Sequence, residues 1–251
     1  MRLTITDTVK HLLIINVIMF IGTLTIGNGQ TFYEWFALYF PKNEALFRPW
    51  QIITHMFMHG SPAHILFNMI GVWMFGTAVE RVFGAKKFLI FYLLSGLGAA
   101  LIMLAYYYFQ YSPLEAEILA SGISQDEIKH MMTTGEVIRS ISAEQQSQLQ
   151  AMYNIFNSSM VGASGALFGI LVAFGMLYPN SEVMLLFFPV PIKAKYFIPG
   201  LIVLNLYSEF SGHSILSPSN TAYMAHIGGA LTGFLLMYFW KKNERDKYRW
   251  N

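Results

Sequence analysis

The sequence predicts an all-α polytopic membrane protein, a helical bundle of six transmembrane helices. Three observations carry that prediction. Of the 251 residues 55% are apolar and only 12% are Asp, Glu, Lys or Arg, whereas a soluble domain carries about a quarter charged residues. The apolar residues also come in long blocks, and a bilayer span needs roughly 20 of them. Runs without a formal charge cover 11–26, 62–79, 88–109, 160–178, 196–208 and 223–240. Finally, the basic residues are divided unevenly between the two sides that these runs define.

The first run follows Lys10 and lacks a small-residue cleavage site, so it reads as a retained helix and not as a removed signal peptide. The fifth run, 196–208, is the shortest, and "LLFFPVP" just before it is expected to dip into the membrane interface. With the N-terminus placed inside, twelve basic residues fall inside, among them Arg2, Lys10, Arg81, Lys86, Lys87, Lys193 and Lys241. Only Lys42, Arg48, Lys129 and Arg139 fall outside. That is the positive-inside bias, so the expected protein is a multi-pass cell-membrane protein with both termini cytoplasmic. Aromatic clusters such as "YYYFQY" at 106–111 sit at the predicted interfaces, where amphipathic rings anchor well. The absence of cysteine excludes a disulfide framework and a Cys-based metal site.

Three segments are expected outside. The loop 27–61 holds Trp35, Phe36, Tyr39, Phe40, Phe47 and Trp50; it reads equally as an interfacial segment or as a loop packed on the bundle. The polar block 111–157 carries three helix-start signals, Ser112 with Pro113 and Glu115, Ser124 with Glu127, and Ser142 with Gln145. The third segment, "FSGHSILSPSNTA" at 210–222, is short and turn-rich.

Inside hydrocarbon a polar side chain needs a partner or a purpose. The candidates are Asn16, His64, Asn68, Ser164, Asn205 and His226. Singly, Asn16 and Asn205 read as hydrogen-bonding glue between helices. Ser164 differs because small residues surround it. Gly162, Gly165, Ala166, Gly169 and Ala173 clear one side of its helix, and Ala222, His226, Gly229, Ala230 and Gly233 share a face of the sixth run. Close approach would let the Ser164 hydroxyl meet the His226 imidazole, the general base that a weak nucleophile needs. In "HILFN", His64 and Asn68 lie four residues apart and project from one helical face. With the backbone N–H of Ser164 they suit an oxyanion forming on a carbonyl. No Asp or Glu lies within any of the six runs to orient the histidine, so packing must hold the ring; Phe168, one turn after Ser164, is placed to stack on it. "GASGA" departs from the G-x-S-x-G nucleophile elbow, since position 166 is Ala and no strand precedes it.

Together "HGSPAHILFN" at 59–68, "GASG" at 162–165 and "AHIGG" at 225–229, in that order on the second, fourth and sixth runs, resemble the rhomboid family of intramembrane serine proteases. The resemblance implies a rhomboid-like fold in a single membrane domain, 1–251, with an extracytoplasmic insert at 111–157. It implies Ser164 as nucleophile, His226 as its base, and His64 and Asn68 as oxyanion-stabilising side chains beside the Ser164 amide, with Gly162 in the same signature. The implied activity is hydrolysis of peptide bonds in or near transmembrane segments of other membrane proteins, in a site opening to the extracytoplasmic side. The implied partners are those substrates and the lipid bilayer, with no cofactor, metal or nucleic acid. The sequence carries no signal of oligomeric state. Many relatives have Trp-Arg in the first loop where this chain has Trp50-Gln51, which puts a stabilising loop contact in question and leaves Arg48 as a partial substitute.

Two other classes compete. A catalytically inactive rhomboid-like scaffold or escort generally lacks part of the Ser–His pair, and here both are present. A transporter would show repeat symmetry or a buried coupling carboxylate, and neither is evident in the sequence.

Overall fold

The computed structural model describes residues 4–185, 188–213 and 222–247. Helix α1 (Asp7–Thr25) has no side-chain cap of its own. Its first amides are instead met by Glu80, whose carboxylate accepts from the Thr8 and Val9 N–H groups at 3.1 and 3.0 Å and from Thr6 Oγ1. An anion at a helix N-terminus satisfies orphan donors and the macrodipole together. Glu80 therefore corrects the expectation of carboxylate-free spans: the apolar helix runs on to Phe83 and contains it, 5% exposed.

After α1 a left-handed turn at Gly27, Asn28 and Gly29 reverses the chain into α2 (Gln30–Phe36). Strand β1 (Leu38–Tyr39) and the short helix α3 (Gln51–Thr54) follow. Both readings of this loop find support in different residues. Tyr39 and Phe40 are buried, whereas Trp35 and Trp50 face outward together, with Trp50 Nε1 donating to the Trp35 carbonyl at 2.8 Å.

Helix α4 (Pro62–Gly71) opens on Ser61, whose hydroxyl accepts from the His64 N–H at 3.2 Å, with proline at the first helical position. A π turn at Val72–Gly76 leads into α5 (Thr77–Phe83). Gly84 then separates it from α6 (Ala85–Ala120), 36 residues long. At 1.5 Å per residue α6 measures about 54 Å, well beyond a hydrocarbon core of about 30 Å.

The overshoot of α6 is where the polar block attaches. Helices α7 (Gln125–Thr134) and α8 (Ala143–Phe156) begin at full capping boxes on Ser124 and Ser142. Ser112 starts no helix, contrary to its sequence signal, and Pro113 lies inside α6. The reason is packing. Tyr111 and Ile118, on either side of that proline, are buried with Phe40, Ile128, Met132, Leu149 and Met152 in a satellite core. Breaking α6 at Pro113 would pull one of them out.

Strand β2 (Ser159–Met160) pairs antiparallel with β1, Leu38 opposite Met160 and Tyr39 opposite Ser159. Helix α9 (Ser164–Leu177) follows. The stretch "LLFFPVP" falls in an antiparallel hairpin, β3 (Glu182–Leu185) with β4 (Phe188–Lys193), a form the sequence reading did not specify; residues 186–187 lie outside the described residues. Helices α10 (Ala194–Ser211) and α11 (Tyr223–Lys247) complete the chain. Of the 210–222 loop, 214–221 lie outside the described residues.

The fold is thus an all-α polytopic membrane bundle with two short strand pairs. Among the described residues three helices are long and apolar enough to cross a bilayer, Asp7–Phe36, Pro62–Phe83 and Ala85–Ala120. Ser164–Leu177 is apolar but shorter. Small residues bring α6, α9 and α11 into backbone contact. A Cβ on Gly229 would overlap the Gly165 carbonyl, one on Gly233 would fall 2.6 Å from Gly169 Cα, and one on Gly228 would fall 3.0 Å from Ala99 Cα. Such close approach is how helices associate where hydrophobic burial gives no drive.

Candidate active site

Ser164 is the first residue of α9, and the chain reaches it through a constrained turn. Gly162 has φ +124°, a conformation open to glycine and little else. Its N–H donates to the His55 carbonyl at 2.9 Å, which ties the turn to the first loop. Just ahead of that turn, β2 is paired with β1, Met160 opposite Leu38. The hydroxyl position is therefore set by backbone hydrogen bonds to two distant segments.

His226 occupies the first turn of α11, 8% exposed. Its Nε2 lies 2.8 Å from Ser164 Oγ. The expected approach of α9 and α11 thus occurs, and the glycine contacts described above are what allow it. Phe168, four residues after Ser164, stacks on the imidazole with ring centroids 4.3 Å apart and planes at 10°. The other ring nitrogen, Nδ1, lies 2.8 Å from Asn205 Oδ1 on α10.

His64 and Asn68 share the face of α4 that the i, i+4 spacing predicts, and both meet the Gly162 turn. A Cβ on Gly162 would fall 2.7 Å from His64 Nε2 and 3.6 Å from Asn68 Nδ2. Asn68 is 5% exposed, and its Nδ2 finds no acceptor among the described residues. Two side-chain donors therefore converge beside the N-terminus of α9, where backbone N–H groups and the helix dipole already favour negative charge. His59 packs edge-on against His64, centroids 5.0 Å apart, and is itself fully buried. Burial, with His64 beside it, pulls the His59 pKa down to about 3. Gly165 abuts Ala99 of α6 and Ala225 of α11, so no larger residue fits between Ser164 and its neighbours.

Two amides do more than the sequence suggested. Gln51 is fully buried. Its Nε2 donates to the Glu34 and Leu46 carbonyls at 2.8 and 2.9 Å, and its Oε1 accepts from Arg48 N at 3.0 Å and more weakly from Tyr39 N at 3.4 Å. Gln51 itself staples the first loop. Arg48 adds contacts of its own in that loop, its guanidinium donating to the Glu44 and Phe47 carbonyls at 3.2 and 2.7 Å. Asn205 is the second, linking α10 to α11 through His226, and only the register between those helices reveals the link. Asn16 Nδ2 donates to the Leu12 carbonyl within its own helix at 2.7 Å, and its side chain also meets Tyr92 of α6. Among the described residues no cluster of His, Asp and Glu has the makings of a metal site.

The bundle and its buried polar cluster define a polytopic membrane protein with chemistry-bearing side chains in its interior. The chain belongs to the rhomboid family: the family model described as Rhomboid domain matches residues 47–125 and 131–243. It is 27% identical over 199 residues to "Rhomboid protein 1, mitochondrial" of Saccharomyces cerevisiae, covering 79% of this chain and 44% of that protein. It is 26% identical over 190 residues to "Rhomboid protease AarA" of Providencia stuartii, covering 74% and 54%. Identity rises to 39% with "Rhomboid protease GlpG" of Salmonella typhi over 82 residues, covering 32% and 29%. The chain spans about half or less of the length of these relatives.

Proposed function

We propose that this rhomboid-family protein is an intramembrane serine endopeptidase that cleaves other membrane proteins in or near their transmembrane helices. The observation that carries the reading is the 2.8 Å contact between His226 Nε2 and Ser164 Oγ. Nε2 takes the hydroxyl proton as Oγ attacks the scissile carbonyl. The tetrahedral oxyanion is met by the Ser164 N–H, His64 Nε2 and Asn68 Nδ2. Collapse breaks the C–N bond, the amine leaves with the proton from His226, and an acyl ester remains on Ser164. Water, deprotonated by His226, then hydrolyses that ester and restores the hydroxyl. Phe168 holds the ring plane throughout; Gly162 and Gly165 provide the room.

The same reading takes residues 1–251 as one membrane domain crossing the bilayer six times, with α9, α10 and α11 as the last three spans. Both termini face the cytoplasm and the 111–157 insert lies outside, the side to which the site opens. The relatives named as proteases support the activity, and the positive-inside bias supports the orientation.

The test is labelling with a serine-directed fluorophosphonate, alongside cleavage of a reporter bearing one apolar helix, in wild type and Ser164→Ala. Labelling and cleavage that vanish together in the variant are the expected result. A folded wild type that neither labels nor cleaves would favour the inactive scaffold instead.

A further inference from the structure

We infer that Asn205 is a positioning residue that holds His226 in the tautomer able to act as a base, an assignment that rests on the protease reading above. A neutral imidazole carries its proton on either nitrogen, and only the form protonated on Nδ1 leaves a lone pair on Nε2 for the serine hydroxyl. Something must select that form. Phe168 does not, because a flat aromatic wall lies equally well against either tautomer and against a ring turned over in its own plane.

Asn205 does. Its Oδ1 lies 2.8 Å from His226 Nδ1, and its Nδ2 donates to the Leu201 carbonyl one turn back at 2.8 Å. The second bond settles the first. Turning the amide over would set two oxygens against each other at Leu201 and remove the acceptor facing Nδ1. With Oδ1 toward the ring, Nδ1 must carry the hydrogen. Both residues are buried, Asn205 5% and His226 8% exposed, so neither atom turns to water at no cost. A carboxylate would select the same tautomer but would bring a formal charge to this depth in the bundle; the amide does so uncharged. The geometry has a further consequence: the base is competent only while α10 is docked on α11, so the Ser164–His226 pair depends on three helices although its two reacting atoms come from two.

The test uses the full chain in lipid nanodiscs, with Asn205→Leu and Asn205→Asp, two side chains of nearly equal size of which only the second keeps an acceptor. Cleavage of a quenched-fluorescence peptide carrying one apolar helix gives kcat and KM. For Asn205→Leu we expect kcat to fall about 10- to 100-fold, the range seen when the partner orienting a working histidine is removed from metal sites, with KM within about twofold. Asn205→Asp, which keeps the acceptor toward Nδ1 but turns a second oxygen toward the Leu201 carbonyl, is expected to recover part of that loss. In parallel, ¹⁵N spectra of histidine-labelled wild type, with the His226 signals assigned by His226→Gln, are expected to show the Nδ1–H form. Wild-type kcat in Asn205→Leu overturns the assignment, as does a predominantly Nε2–H form in the wild type, a readout taken on the wild-type ring itself and independent of how Asn205→Leu folds. A wild type that is inert to fluorophosphonate overturns the protease reading itself. A reactive wild type beside an unaffected Asn205→Leu overturns only the role of Asn205.

Discussion

Phe168 lies flat on His226, ring planes 10° apart and centroids separated by 4.3 Å. Phe168 follows Ser164 by four residues on α9, so one helical face carries both the hydroxyl and the wall that limits its partner's rotation. Stacked aromatic pairs contribute about 0.5–1.5 kcal/mol beyond their burial, and about 1.4 kcal/mol is a tenfold change in rate. Phe168→Leu is therefore expected to lower kcat about 2- to 10-fold, while Phe168→Tyr, which keeps the ring, stays near wild type. Steady-state cleavage of a transmembrane reporter measures both, and equal rates for the two variants would remove the stack from the mechanism.

Asn68 offers a sharper loss. Removing one oxyanion donor costs about 10²- to 10³-fold in kcat, and Asn68→Ala is expected in that range with KM little changed. Gly162→Ala reaches the same step from the backbone. It places a Cβ 2.7 Å from His64 Nε2 at φ +124°, so turnover should fall at least as far while the overall helix content by circular dichroism stays at the wild-type level.

At Gln51 the residue common among relatives is expected to be harmful. An arginine has five donors and no acceptor, so Gln51→Arg would leave the Arg48 and Tyr39 amides unmet and bury a charge beside them. Leaving one buried donor unsatisfied costs about 1–3 kcal/mol. Thermal unfolding in detergent should show a lower midpoint for Gln51→Arg than for wild type. A higher midpoint would mean that the loop accommodates the guanidinium.

Acid should loosen the first loop. His55 is buried between α3 and the Gly162 turn and donates to the Gln51 carbonyl at 2.9 Å; burial lowers its pKa to about 4. A histidine with its folded pKa below the unfolded value of about 6.5 contributes full stability above pH 6.5 and loses it as pH falls toward 4. The shift corresponds to up to about 3 kcal/mol. His59, shifted in the same direction, adds to the effect. The wild-type unfolding midpoint should drop between pH 7 and pH 5, and His55→Asn should flatten part of that slope.

What the sequence made legible follows from cost. A hydroxyl, two imidazoles and an amide in charge-free runs stand out because hydrocarbon tolerates them only with partners, and Ser164, His226, His64 and Asn68 are the residues the fold gathers. The glycine faces were equally readable, since removing bulk at three- and four-residue spacing has few other uses in a membrane helix. Asn205 stood out as polar, but its partner depends on how α10 is rotated against α11, which local spacing does not encode. Gln51 reads as a loss only against the arginine of relatives; its two donors and one acceptor oxygen match groups that only the folded loop brings together. Ser112 carried a genuine start signal that was overridden by Tyr111 and Ile118 packing across it. The β3–β4 hairpin was hidden because an unbroken apolar stretch has no alternation from which a strand can be recognised.

The abutting main chains of α9 and α11 bear on how the protein responds to its lipid. Between Gly165 and Gly229, and between Gly169 and Gly233, there are no side-chain torsions to take up slack, so the two helices are expected to tilt as one rod. Thicker or thinner bilayers impose tilt through hydrophobic mismatch. Such tilt would leave the oxygen-to-nitrogen spacing unchanged while displacing α10 and the hairpin at the rod's flank. Dependence of turnover on acyl-chain length should therefore reside in substrate entry, and fluorophosphonate reactivity should stay level across the same lipid series.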